Sequence, residues 1–192
     1  MISAGSSSAP RSLAVRTGLV LGGSALLALS AQIAVPMFPV PITLQTLAVP
    51  LLVLGLGRGL AVMATLAYLA EAALGLPVLS GWLGGALRLF GPTAGYLWTF
   101  PIAAYAIGAL LERGLMATYA GRWVAIFLGT AVIFAGGAWW LAVGPLGLSA
   151  GDAIAKGVAP FLIGDVLKCS LAAALPAQWP RLCERLGLSS RA

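Results

Sequence analysis

The sequence predicts an all-α integral membrane protein: one bundle of six transmembrane helices with both termini on the cytoplasmic side. Three observations lead there. Of the 192 residues, 60% are hydrophobic and 8% charged, against roughly 25% charged in an ordinary soluble domain, so a water-facing surface cannot be assembled from this composition. The apolar residues fill whole segments of about 20 instead of alternating with polar ones, the length a helix needs to cross the hydrocarbon layer. The cations fall unevenly between alternate loops, which orients the chain.

The elements follow in order. Residues 1–12, rich in Ser and Ala, read as a disordered cytoplasmic leader. Arg11 and Arg16, ahead of an apolar run that ends in Ala28, Ser30 and Ala31, also fit a cleavable signal peptide. Thr17 to Val35, however, makes roughly 28 Å of helix, longer than a signal core, and favours a retained first span. Pro36 ends it. The three prolines of Val35-Pro-Met-Phe-Pro-Val-Pro-Ile42 forbid helix and favour a stiff, extended connection. A short second span covers Thr43 to Leu56, Gly55-Leu-Gly-Arg-Gly59 turns the chain, and a third span runs from Leu60 to about Leu74. The glycine-rich stretch from Gly75 to Gly91, which holds Trp82 and Arg88, is too irregular to face lipid and must cover protein or line a cavity. A fourth span runs from Thr93 to Leu111, broken early by Pro101, and a fifth from Trp123 to Val143. Gly144 to Ala159 is a second irregular segment. Pro160 fits the first turn of a last helix ending near Ala177. The membrane domain is thus 13–180, followed by a cytoplasmic tail, 181–192.

Alternating the loops between sides puts Arg11, Arg16, Arg58, Arg113, Arg122, Arg181, Arg185 and Arg191 on one face, with Arg88 and Lys156 opposite. The cation-rich face is cytoplasmic. Trp123, Trp139, Trp140 and Trp179 fall near helix ends, where an indole can sit among headgroups. The proline run and both irregular segments then share the outer face, which suggests an outward-facing site under loops. The net charge of +6 comes from cations scattered singly, not from a stripe, so nucleic-acid binding is not indicated. Cys169 falls in a buried helix and Cys183 in the tail, so no disulfide is required. The chain has no histidine and no metal-ligand cluster, and neither metal nor cofactor is expected. It has no GxxxxGK[ST] phosphate loop either, so any ATP dependence must come from another polypeptide.

Within the spans, Asp165 and Lys168 are the sharpest signal. Three residues apart, they share a helix face. Each would cost about 2.5–3.5 kcal/mol at a bilayer centre, a cost rarely kept without a use. They read as a self-neutralising pair, either a ligand site or glue between helices. Thr43, Gln45 and Thr46 open the second span, and Thr93 and Tyr96 the fourth; all are neutral hydrogen-bonding groups near the outer face, suited to orienting a ligand with an apolar body. Arg88 can meet a ligand carboxylate or snorkel to water. Trp82 belongs to the same loop. Glu71, near the outer end of the third span, is either hydrated or functional. Gly18, Gly22 and Ala28 form a smooth stripe on the first helix that admits close approach by another helix, of the same chain or of a partner.

Three segments, Val40-Pro-Ile-Thr-Leu-Gln-Thr-Leu47, Gly91-Pro-Thr-Ala-Gly-Tyr-Leu97 and Gly164-Asp-Val-Leu-Lys168, together resemble the BioY family, the biotin-specific substrate-binding subunits (S components) of energy-coupling factor (ECF) transporters. The resemblance runs in order from about residue 20 to residue 178, with Ala94 where a glycine is expected. It implies an S-component-like six-helix bundle in the cell membrane that captures biotin and is not itself an enzyme. The implied partners are a transmembrane coupling (T) protein, which would meet the Gly18 to Ala28 stripe, and a pair of ATP-binding cassette ATPases; a second copy of the chain is a further candidate partner. Biotin carries a ureido group, an apolar thioether ring and a carboxylate. The resemblance therefore suggests that Asp165 accepts from a ureido N–H and Lys168 donates to the ureido oxygen, with Gln45, Thr43, Thr93, Tyr96 and Trp82 around them and Arg88 at the carboxylate. The alternatives are a capture subunit for another small ligand, a membrane-embedded lipid-modifying enzyme, or a structural subunit. An enzyme is disfavoured because one Asp and one Lys leave few groups for acid–base or nucleophilic work.

Overall fold

The structure, a computed structural model, describes residues 13–175 and is helical almost throughout. The long helices are α1 (Leu13–Gln32), α2 (Gln45–Leu56), α3 (Arg58–Ala73), α4 (Ala94–Leu110), α5 (Tyr119–Val143) and α7 (Leu162–Ala173), with a short α6 (Ala150–Gly157) between the last two. The leader, the tail, Cys183 and Trp179 lie outside the described residues.

Helices fall at the six expected spans, with shifted ends. α1 stops at Gln32 rather than Val35, because Pro36 demands an extended residue before it. The chain enters β1 (Ala34–Val35), which pairs antiparallel with β2 (Ile42–Thr43) through Ala34↔Thr43 and Val35↔Ile42. The proline run is thus the tip of a small hairpin. α4 is continuous through Pro101, contrary to the expected break; neighbouring helices keep the turn in place although one backbone donor is missing. The segment taken as irregular from Gly144 to Ala159 contains α6, which Ser149 caps by accepting from the Asp152 N–H.

Three helical stretches, Leu13–Gln32, Ala94–Leu115 and Tyr119–Val143, are long and apolar enough to cross a membrane. The 12 residues of α2 reach only about 18 Å. Every one of them is at least partly covered by the rest of the bundle, so α2 needs no lipid-spanning length.

Packing brings α4 against α5 through glycines that admit the partner helix: Gly95 meets Gly136 and Trp140, Gly129 meets Ile107, and Gly137 meets the Tyr96 ring. α1 lies on α3, where Gly23 faces Ala64, and it buries Leu27 and Ala31 completely. Trp123 and Trp140, expected at headgroup level, bond within the bundle: their indoles donate to Ser170 Oγ at 3.2 Å and to the Gly91 carbonyl at 2.9 Å. At the end where α4 gives way to α5, Arg122 is 6% exposed. Its guanidinium donates to the carbonyls of Ala173 and Met116, each at 2.9 Å.

Candidate ligand-binding site

Where α1 and α3 end and α2 and α4 begin, the proline hairpin, the 75–91 segment and the start of α4 enclose a cavity of about 230 Å³. Its polar lining is Thr43, Gln45, Tyr68, Ser80, Arg88 and Thr93; Val40, Leu79, Leu83, Leu97 and prolines supply the apolar part. A small pocket with an apolar body and a few convergent polar groups is what fixes a small molecule in one orientation.

The polar groups are themselves fixed. β2 delivers Thr43 and α2 begins at Gln45, so the two lie side by side: Thr43 Oγ1 accepts from the Gln45 backbone N–H and donates to Gln45 Oε1, both at 3.3 Å. Gln45 Nε2 donates at 2.8 Å to the hydroxyl of Tyr68, which is 0% exposed. Lys168, on α7, donates to the Thr43 carbonyl at 2.7 Å and to Thr46 Oγ1 at 3.0 Å. It thereby braces the corner that presents Thr43 and Gln45. Arg88 is exposed on the cavity rim, and among the described residues no carboxylate lies within salt-bridge distance of it. Thr93 caps α4 from the cavity wall without a side-chain bond to the helix.

The expected Asp165–Lys168 ion pair is absent. Among the described residues the salt bridges are Arg58–Glu112 at 3.1 Å and Asp152–Lys156 at 3.0 Å. Sharing a helix face does not make two side chains partners when better geometry lies across the bundle, and Lys168 turns to β2 and Thr46. Asp165 is 3% exposed; Cys169 Sγ approaches its Oδ2 at 3.7 Å, and its Oδ1 has no hydrogen-bond partner. It borders a second, lateral cavity of about 420 Å³ between α5, α6 and α7, lined otherwise by apolar side chains such as Phe134, Val158 and Leu162.

Two further expected residues lie away from the first cavity. Tyr96 is buried and donates to the Gly157 carbonyl at 2.8 Å, tying α6 to α4. Trp82 is 65% exposed at the tip of the loop, and its backbone N–H donates to Gln32 Oε1 at 3.1 Å. Glu71 accepts from Ser24 Oγ at 2.7 Å, joining α3 to α1. On α1, Gly18 and Gly22 are exposed with no atom within 4 Å of where a Cβ would stand, whereas Ala28 is packed on the core. Sequence reasoning missed Tyr68 and Ser80. Tyr68 carried a signal: a hydroxyl three residues before Glu71 in an otherwise apolar span.

The model of the BioY family matches residues 6–185. A probable biotin transporter BioY of Pyrococcus horikoshii is 38% identical over 148 residues, covering 77% of this chain and 85% of the relative. The biotin transporter BioY of Thermotoga maritima is 36% identical over 163 residues, covering 83% and 92%. The crystal structure of the S-component for biotin from an ECF-type ABC transporter superposes with a TM-score of 0.75 over 93% of this chain and 95% of that one, at 23% identity, a likeness of fold.

Proposed function

Because the chain belongs to the BioY family, we propose that it captures biotin in the cavity beneath its outer loops, as the substrate-binding subunit of an ECF-type vitamin transporter. The observation that carries this reading is the cavity. Three segments distant in sequence bring Thr43, Gln45, Tyr68, Arg88 and Thr93 to one apolar-walled space of about 230 Å³. Biotin has the matching parts. Its thioether ring suits the Leu and Pro walls, its carboxylate meets the unpaired Arg88, and its ureido group both donates and accepts.

The ureido ring lies deepest, toward α7. Lys168 holds two acceptors, and the third proton of its ammonium is available to the ureido oxygen. Asp165 borders the second cavity and not the first, but its Oδ1 is a buried acceptor without a donor, and leaving such an atom unmatched costs about 1–3 kcal/mol. A ureido N–H supplies the donor once ligand binding shifts the corner that Lys168 braces and opens the first cavity to Asp165. Gln45, Thr43, Thr93 and Tyr68 complete the shell, while Tyr96 and Trp82 act through packing and the loop.

The protein works in the cell membrane with both termini cytoplasmic. Arg16, Arg58 and Arg113 stand at the end of the bundle opposite the cavity, the arrangement that positive-inside requires. The exposed Gly18–Gly22 face of α1 receives a transmembrane coupling protein, which recruits the ATPases. The purified protein, titrated calorimetrically with biotin in detergent, tests the reading together with biotin amide and a ureido-free analogue. Saturable binding of biotin, weaker for both analogues, is expected; no heat with biotin sinks it.

A further inference from the structure

The roof of the cavity is a narrow turn. Leu79 and Leu83 pair through two backbone bonds of 2.9 and 3.2 Å, and with Ser80 they line the cavity. Between them the chain bends through Gly81 at φ 72° and Trp82 at φ 58°. Trp82 is the one non-glycine among the described residues in the left-handed region, a conformation that persists only where surrounding structure enforces it. Its indole cannot be the enforcement, being 65% exposed. The enforcement comes from α1. Gln32, in the last turn of that helix, donates from Nε2 to the Leu79 carbonyl at 3.0 Å and to the Ala28 carbonyl at 3.2 Å, and accepts from the Trp82 N–H at 3.1 Å. One amide thus satisfies an acceptor and a donor at the two shoulders of the turn, much as a strand would, and the Ala28 bond fixes the amide to its own helix.

We propose that Gln32 is a positioning residue that latches this roof over the ligand cavity and so sets how long a bound ligand stays. It acts through Leu79, Ser80 and Leu83, not through contact with the ligand. The proposal rests on the reading of this cavity as the vitamin site. Loss of the amide leaves the strained turn held only by its own two bonds, so the roof opens more often. A ligand already inside escapes more readily, while a ligand arriving from outside meets the same mouth.

The test uses the full chain in detergent and two variants, Gln32→Met, which removes all three bonds, and Gln32→Glu, whose ionised carboxylate retains an acceptor for Trp82 but no donor for Leu79. Amide hydrogen exchange of the 79–83 turn in ligand-free protein, and release of radiolabelled biotin during a chase, are measured side by side. Two lost hydrogen bonds predict roughly tenfold faster exchange and roughly tenfold faster release in Gln32→Met, with the association rate changed far less. The Glu variant loosens the turn as well, which separates the latch from a folding defect of one substitution. Exchange at the wild-type rate in both variants overturns the latch, and so does a loosened turn with unchanged biotin release. If the wild-type protein itself binds no biotin, the vitamin reading falls, and the exchange measurement alone decides whether Gln32 holds the turn.

Discussion

Replacing Asp165 by Asn has two consequences of opposite sign, and that opposition is the test. In the ligand-free protein Oδ1 is buried without a partner, and Cys169 Sγ approaches the other oxygen at 3.7 Å, with the Thr46 side chain also interacting with the carboxyl group. A neutral amide is cheaper to bury there than a carboxylate. Lys168 loses the attraction of the Asp165 charge but keeps its hydrogen bonds to Thr43 and Thr46. The empty variant is therefore expected to be more stable, by about 1 kcal/mol, or about 2–4 °C for a chain of this size. Binding moves the other way. An amide oxygen accepts more weakly than a carboxylate, and its nitrogen cannot accept at all; losing one hydrogen bond to a charged group, about 1.5–3 kcal/mol, weakens biotin roughly 10- to 150-fold. Thermal unfolding without ligand and calorimetry with biotin read the two effects in the same detergent. A lower melting temperature with unchanged affinity would refute the reasoning, since it is the signature of a residue that only holds helices together.

Arg88→Ala should weaken biotin about fivefold, a modest value because the guanidinium is exposed, and leave biotin amide unaffected; equal losses for acid and amide exclude a carboxylate contact. Gly137→Ala places a methyl group inside the Tyr96 ring, so the ring must shift and its bond to Gly157 is lost. Overpacking and the broken bond together cost about 2–4 kcal/mol, seen as a lower melting temperature that a second change, Tyr96→Leu, partly restores. In α6, hydrogen bonds from Lys156 and Ser149 hold the Asp152 carboxyl below its usual range. Its share of helix stability is then complete above the ordinary Asp value and is lost as pH falls through the lowered one. A carboxyl titration by NMR should follow that order, and a midpoint above the ordinary value contradicts it.

The spans were legible because uninterrupted apolar runs leave a chain few choices in lipid, and because Pro36 and Pro160 mark where helices can stop or start. α6 was not, since Gly, Ser and Pro around it mimic a loop; the Ser149 to Asp152 spacing of an N-cap was the cue available in the letters. Of the site, Thr43, Gln45, Arg88 and Thr93 were legible from polarity at the outer ends of spans, and the structure gathers them. The partner of Lys168 was not. Helical spacing tells which side chains share a face, but the acceptor it finds belongs to Thr43, 125 residues away in sequence, and only the folded bundle brings it near. Tyr96 illustrates the same limit, because its hydroxyl serves a carbonyl of α6, an element that had gone unseen.

Arg122 ties the end of the bundle opposite the cavity, holding α5 to the end of α7 and to the α4–α5 connection. Pulling the guanidinium off the Ala173 and Met116 carbonyls would give up hydrogen bonds to a charged group, each worth about 1.5–3 kcal/mol. The roof and corner of the cavity, by contrast, hang on side-chain amides, hydroxyls and one ammonium. Opening wide enough to admit a guest is therefore expected at the cavity end, where the ties are weaker than the two that Arg122 makes at the other.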